Sequence, residues 1–548
     1  MSTVVDTEVL VVGGGPVGLS LAGDLGWRGH RCILVERGDG EIKQAKMDGV
    51  GVRTMEFCRR WGIVKDVEGS AYNRAYPQDN VYLTTLNGYE LGRQPMPAMA
   101  NDKPPPESPQ KRERCPQNMF DPILQRFARS QAGVEIAYGH RLISFEQHER
   151  GVDSKVEDPS GKEILVRSKY LVGCDGGRST VREGLGIEMN GKGVLTHTTN
   201  IIFRCPNFNE LHDKVPGYRY MFVGGAGVWA TIVAINGNDQ WRMSIIGNAH
   251  DDRVYEEDEL KRLAHHAVGK VFDLEILSIL RWTRIELVAD SYGKGRVFIA
   301  GDACHLTSPT GGLGMNTGIG DAVDLSWKLA SCLEGWGGRG LLDSYQVERR
   351  PVAIRITKFS TGNLEIMQKV PHTESIFADG GEGEQARAKV GQALTEGLKK
   401  EWFSKNMHLG NRYLDSPVCV YNEEESAEAN KAEFEDAVNY RPSTRAGCRA
   451  PHVWLDDGRS TLDLFGRGYV LICRTSAKED AERILAAAEK YQVPLTVYAT
   501  DDPAVTAAYQ KALVLVRPDG HVSWRANVAD GNPEELIRIV SGNEVSGE

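Results

Sequence analysis

The residues best suited to chemistry lie in three short stretches. In EVLVVGGGPVGLSLAGDLG, Gly13, Gly15 and Gly18 make a GxGxxG turn between an apolar strand and a helix that opens with Pro16 and Val17. Glu36, followed by Arg37, closes the next strand. Glycines at this spacing allow a tight turn and let a pyrophosphate approach the helix N-terminus, while the acid bonds ribose hydroxyls. The pattern serves a nicotinamide or a flavin dinucleotide equally well. In the second stretch, VFIAGDACHLTSPTGGLGMNTGIGDA, Asp302 follows a strand and is placed to take a ribityl hydroxyl. The turn Pro309 to Asn316, with Gly311, Gly312, Leu313, Gly314 and Met315, then offers backbone N–H groups at a helix start. Such a terminus favours negative charge on a reduced flavin ring, which separates flavin from nicotinamide. The third stretch, QAKMDGVGVRTMEF, holds one acid, Asp48, between small residues. Asp-Gly is common turn chemistry, so its neighbours decide whether Asp48 is a solvated turn or a working carboxylate.

The elements that must position these residues read clearly from the pattern. EVLVV and CILVE are continuous apolar runs, which fits strands of a parallel sheet buried on both faces. Residues 93–118 are proline-rich and charged, a long loop of the kind that forms lids and binding loops. From about 195 to 248, NIIFRC, YRYMFVGG, VWATIVAI and WRMSIIG predict an antiparallel sheet. Near Arg445 a strand–helix–strand–hairpin–helix order begins that looks like a thioredoxin fold, without CxxC. The predicted architecture is α/β: a Rossmann-like FAD-binding domain, an antiparallel-sheet substrate domain and a C-terminal thioredoxin-like domain. Its expected boundaries are 1–190 and 291–370 for the two FAD-binding parts, 191–290 for the substrate sheet, 371–444 for a helical connector and 445–548 for the last domain.

Composition narrows the class. The chain has 548 residues, 41% hydrophobic and 26% charged, with a formal net charge of -10. That balance argues against nucleic-acid binding, which needs a basic surface. No apolar run approaches the roughly 18 residues of a membrane span. The N-terminus lacks a basic region and leads straight into a strand, so no signal peptide is expected. The 10 cysteines have no zinc-like spacing, which excludes an expected metal site and fits a reduced, cytoplasmic protein.

Taken together, the motifs resemble those of the class A single-component flavoprotein aromatic hydroxylases. The second stretch matches their GDAAHxxxPxGGxGxN and DAxNLxWKLA patterns at Gly301, Asp302, His305, Pro309, Gly311, Gly312, Gly314, Asn316, Asp321, Ala322, Leu325 and Trp327, with Cys304 and Asp324 as departures. GCDGGRSTVR matches the family's DG motif through Asp175, Gly176, Arg178, Ser179 and Arg182. The resemblance covers about residues 8–360, and the last domain extends it to the phenol 2-monooxygenase and 3-(3-hydroxyphenyl)propionate hydroxylase subgroup.

This resemblance implies that the FAD-binding domain is of the GR2 type, with FAD as cofactor, NAD(P)H and O2 as co-substrates, and hydroxylation of a phenolic substrate through a C4a-hydroperoxyflavin by a monomer or homodimer. In many relatives the third stretch reads PRAxxxxxRTME, which places Lys46 at an arginine that contacts the FAD and includes Arg53 in the motif. Lysine there keeps the charge but loses the bidentate fork. Gln117 matches a glutamine that contacts the ribityl chain. Asp48 matches an aspartate near the substrate hydroxyl, and accepting the phenol's hydrogen bond is its expected role, with burial raising its pKa. Arg242, on a sheet strand, and Tyr220, with Tyr218 as its neighbour, are the other expected substrate-site residues; His305 is expected to be structural. Lys46 and Arg178, with the 93–118 loop, are expected to steer NAD(P)H, since no second GxGxxG is present. A flavin halogenase lacks support without WxWxIP, and so does a Baeyer–Villiger enzyme without FxGxxxHxxxW. A non-hydroxylating flavoprotein oxidoreductase, or a nucleotide-binding module on the same fold, stands as the alternative.

Overall fold

The computed structural model describes residues 3–42, 47–251, 253–370, 374–421 and 427–543. Lys46 therefore lies outside the described residues. A six-stranded sheet runs in the order Gly293–Lys294, Val297–Ile299, Tyr170–Gly173, Val9–Val12, Cys32–Glu36, Val134–Tyr138. All its pairings are parallel except the one made by Gly293–Lys294. Val12 pairs with Gly173, and Gly173 with Ile299. Parallel register therefore brings the C-terminal ends of three central strands to one edge, and Gly13, Asp175 and Asp302 follow directly from those ends. Ligands of open α/β sheets bind at such an edge. Helix Pro16–Trp27 covers one face together with helix Gly314–Glu334, whose glycine-rich start returns to the same edge.

The second body is an eight-stranded sheet, ordered His305–Leu306, Glu275–Ala289, Met189–Arg204, Gln240–Ile246, Gly227–Ala234, Arg219–Gly224, Asn80–Leu83, Glu90–Gln94. Its last two strands come from before residue 190, and His305–Leu306 comes from after 290. The substrate sheet is thus interleaved with the FAD-binding segments and not confined to 191–290. A four-stranded sheet of Thr3–Asp6, Glu163–Ser168, Gly151–Glu157 and Arg141–His148 flanks the first.

The proline-rich loop is pinned at its end. Gly49–Val50 pairs antiparallel with Glu113–Arg114, Gly49 opposite Arg114. Beyond this ribbon, Cys115 N donates to Asp48 O at 3.0 Å and Gln117 N to Met47 O at 3.0 Å. The span expected as a helical connector contains helices Gly380–Trp402, Lys405–Leu409 and Ala427–Glu435. The C-terminal thioredoxin-like domain has the sheet order Leu495–Ala499, Tyr469–Cys473, Leu513–Val516, Val522–Ala526, packed by helices Lys478–Lys490 and Pro533–Val540. No helix among the described residues is long and apolar enough to cross a membrane.

Candidate active site

A cavity of about 1760 Å³ runs from the sheet edge to the eight-stranded sheet. Single-ligand pockets occupy roughly 300–1,000 Å³, so this space suits two ligands side by side. At the dinucleotide end, Gly13 has φ +111°, and a Cβ there would lie 2.3 Å from Cys174 O. A Cβ on Gly18 would lie 2.0 Å from Gly13 O, so Gly18 lets the helix close on the turn. Gly15 and Gly312 are different: a Cβ on either meets no protein atom within 4 Å, and both line the cavity. The turn is therefore tight on its protein side and open on the side where a pyrophosphate would lie.

Around this cradle, Glu36 accepts from Gly14 N and Gly38 N, each at 2.7 Å, which orients its carboxylate at the rim. Asp175 accepts from Ser179 Oγ and from Val181 N at 3.2 Å, and burial pushes its carboxyl upward. Pro16, Val17, Arg37, Arg178, Asp302, Pro309, Gly314 and Met315 line the same cavity. Asn316 works as a tie: its Oδ1 accepts from Gly51 N at 2.8 Å and Thr54 Oγ1 at 2.7 Å, and its Nδ2 donates to Gly312 O at 2.8 Å. The Asp48 loop is thereby fixed against the glycine turn. Gln117 also lines the cavity and donates through Nε2 to Asp121 at 3.0 Å.

At the other end Asp48 is the centre of a charged group. Arg114 Nη1 donates to its Oδ1 at 2.9 Å, Arg242 Nη2 lies 3.6 Å from Oδ2, and Tyr218 Oη donates to Oδ2. The Arg114 guanidinium also sits over the Tyr218 ring, 3.8 Å from its centroid. Burial pulls the Asp48 pKa upward, but the Arg114 and Arg242 charges and the Tyr218 hydrogen bond outweigh it, so the carboxyl is held below its usual range. The expected raised pKa is therefore corrected, because the sequence did not reveal that two arginines share the carboxylate. For Tyr218, burial and the adjacent Asp48 charge push the phenol well above its usual value despite Arg114.

Comparison with known proteins places this geometry. The family described as "FAD binding domain" matches residues 6–360, and the one described as "Aromatic-ring hydroxylase, C-terminal" matches 443–542. The chain belongs to the FAD-dependent aromatic-ring hydroxylases. A putative polyketide hydroxylase of Streptomyces halstedii is 34% identical over 96% of this chain and 94% of that protein. The rebeccamycin biosynthetic enzyme RebC with bound 7-carboxy-K252c superposes with a TM-score of 0.90 at 35% identity, covering 98% of this chain and 100% of RebC. Aklavinone-11 hydroxylase with FAD and aklavinone has a TM-score of 0.80 at 28% identity, covering 98% and 99%.

Within this hydroxylase fold some expected residues fall elsewhere. Tyr220 is fully buried, accepts from Gly217 N at 2.8 Å and lines no part of the cavity; Tyr218 is the tyrosine that reaches Asp48. Arg53 faces away, donating to Glu56 at 2.8 Å and to Asp519 O of the C-terminal domain at 2.7 Å. The Leu313 side chain packs with Val352, Ile356 and Met407 instead of facing the cofactor space. His305 Nε2 donates to the ionised Asp321 carboxylate at 2.8 Å in the core. Sequence reading missed Arg114, Arg219, Trp282, Arg284 and Glu401, all on the cavity wall. The period-two spacing of Leu280, Trp282 and Arg284 was a usable signal, since alternate strand residues share a face.

Proposed function

We propose that this FAD-dependent hydroxylase acts on a phenolic ring through a Tyr218–Asp48 pair, with NAD(P)H and O2 as co-substrates. The observation that carries the reading is the continuity of one cavity from the open Gly15 cradle to the Asp48 cluster. When bound, FAD supplies the reduction of O2 and the transfer of one oxygen atom. The open faces of Gly15 and Gly312, the rim acids Glu36 and Asp302, and the amides of the turn before helix Gly314–Glu334 fit that cofactor and would hold it.

The protein's own residues handle the phenol. Asp48 stays ionised and engages the Tyr218 proton, leaving the Tyr218 oxygen lone pairs free to accept a hydrogen bond from the substrate hydroxyl. A phenol polarised in this way is richer in electrons at its ring carbons, where oxygen is to be added. Arg114 and Arg242 keep the pair from taking up a proton, so the relay keeps one polarity. The wall of Thr231, Val233 and Leu280 excludes water from the ring. Arg178, exposed at the cavity rim, is suited to guide NAD(P)H. The free cysteines favour a cytoplasmic setting.

The test is a panel of phenols offered to purified holoenzyme with NADH or NADPH. A phenol that accelerates coenzyme oxidation and returns as a product heavier by one oxygen supports the reading. Coenzyme oxidation that no phenol stimulates, or that yields only peroxide across the panel, sinks it.

A further inference from the structure

Arg284 lies on strand Glu275–Ala289 and faces the cavity two residues beyond Trp282. Its residue surface is only 6% exposed. Among the described residues it makes no ion pair: the nearby Glu401 is already engaged by Arg219 Nη1 at 2.9 Å and by Gly311 N at 3.1 Å. Arg284 Nε, Arg219 Nε and the Trp282 indole Nε1 are all buried without a hydrogen-bond partner. These atoms can only donate. One acceptor on the same wall, Asn200 Oδ1, is also unpartnered and suits a hydroxyl or N–H of the same ligand. Burial first, then the Arg219 and Arg242 charges, lower the Arg284 pKa to about 10 against the pull of Glu401, so it remains a cation at neutral pH.

A buried guanidinium without a counter-charge is costly, and a neutral phenol would leave it that way. A carboxylate answers both the charge and the geometry, since it accepts two parallel bonds from a guanidinium fork. We propose that the wall around Arg284 is a carboxylate subsite, so that the substrate is a phenol bearing a carboxylate set away from the hydroxyl that meets Tyr218. The proposal rests on the phenol-hydroxylase reading for the placement of that hydroxyl. The carboxylate is held by Arg284, whose guanidinium sits over the Trp282 ring at 5.4 Å from its centroid, and can also accept from the unpartnered Trp282 indole N–H, with Arg219 raising the local positive potential.

The experiment titrates FAD-loaded enzyme by flavin difference absorbance with matched probes, 3-hydroxybenzoate against phenol and 6-hydroxy-2-naphthoate against 2-naphthol. The carboxylated member of at least one pair binds about tenfold or more tightly. In Arg284→Met that preference disappears while binding of the neutral member changes less than about twofold, and Arg284→Lys recovers part of it. FAD content and circular dichroism establish that both variants are folded. A wild-type enzyme without a carboxylate preference in either pair overturns the proposal, as does a preference that survives Arg284→Met. A preference that survives while the flavin midpoint potential shifts assigns Arg284 to the flavin and also overturns it. If the preference follows Arg284 but no probe is hydroxylated, the reaction class is what fails, and the subsite stands.

Discussion

Replacing Asp48 by Asn keeps the shape of the side chain and removes its charge. Arg114 at 2.9 Å and Arg242 at 3.6 Å lose their shared counter-ion, and Tyr218 loses the acceptor that orients its proton. Two charges about 4 Å apart interact with about 4 kcal/mol at an effective dielectric near 20, and hydrogen bonds to charged groups contribute a net of about 1.5–3 kcal/mol. The Asp48 side chain is 18% exposed to the cavity, so the lower figure applies to stability and the fold survives. The larger effect is on polarity. An amide N–H facing Tyr218 makes the tyrosine an acceptor there and turns its proton toward the substrate hydroxyl it is meant to receive. Positioned proton acceptance contributes about 10²–10⁴ in rate. The expected result is a fall of about 10²–10³ in kcat/KM, or about 2.7–4 kcal/mol in the barrier, with FAD retained and coenzyme oxidation uncoupled toward peroxide. Steady-state oxygen and product assays across pH measure it. Because Asp48 is held below the usual carboxylate range, the wild-type profile has no limb from this group near neutrality. Wild-type kcat/KM and coupling in Asp48→Asn would refute the reasoning, and so would a limb between pH 6 and 7 that the substitution abolishes.

The neighbouring tyrosines separate cleanly: Tyr218→Phe cuts hydroxylation to a similar degree and is not additive with Asp48→Asn, whereas Tyr220→Phe costs about 1–2 kcal/mol of stability through its bond to Gly217 N and leaves turnover within about twofold. Gly15→Ala leaves apo-protein melting unchanged yet weakens FAD binding in a fluorescence titration, while Gly13→Ala, with a Cβ 2.3 Å from Cys174 O, fails to fold normally. Burial, with Arg112 adding to it, lowers the His408 pKa from 6.5 to about 4. Its contribution is complete above about pH 6.5 and lost as pH falls toward 4, up to about 2–3 kcal/mol; melting scans of His408→Gln should lose that slope. Glu56→Gln leaves the buried Arg449 and the half-buried Arg53 without their carboxylate and costs about 3–5 kcal/mol by chemical denaturation. Burial alone would raise the Glu56 pKa, but Arg449 and Arg53 hold it below its usual value. That stability is present above about pH 4.3 and is lost as pH drops through the lowered folded value.

The dinucleotide turn was legible because its requirements are local. Gly13 must reach φ +111° and clear Cys174 O, and no other residue type does both. The Asp48 loop was legible only as a position. Its electrostatics depend on Arg114, which arrives by pairing of Gly49 with Arg114 across a long loop, and on Arg242 from a strand almost two hundred residues away. No local pattern encodes those meetings. Tyr218 and Tyr220 differ by two positions, and strand alternation alone gave no reason to prefer one; the turn before Arg219 is what carries Tyr218 to the cavity. Asp324, a departure from the asparagine pattern, makes sense once Lys328 at 2.8 Å and Arg517 at 3.1 Å are seen beside it. One of these two cations comes from the last domain, and together they oppose the burial that raises the Asp324 carboxyl to about 7.

Those distant partners also account for a thioredoxin-like domain that has no redox pair. Helix Val52–Trp61 begins where Asn316 holds Gly51, and its first two turns present Arg53 and Glu56 away from the cavity. Both are taken by the C-terminal domain: Arg53 by Asp519 O, and Glu56 by Arg449, whose Nε lies 3.0 Å from Oε2. The same Arg449 donates to Glu107 O at 3.1 Å, and Ser108 Oγ donates to Glu56 at 2.6 Å, both on the proline-rich loop that roofs the cavity. One buried carboxylate therefore joins the helix that follows the Asp48 loop, the roof and the last domain. Ordering a loop of this length costs conformational entropy residue by residue, and a few buried charge-assisted bonds at one anchor are an effective offset. Through Arg449 the domain is tied directly to the roof. The RTME segment, which as sequence points toward the cofactor, reaches it only indirectly, by fixing the elements that carry Asp48 and Arg114 to the same cavity wall.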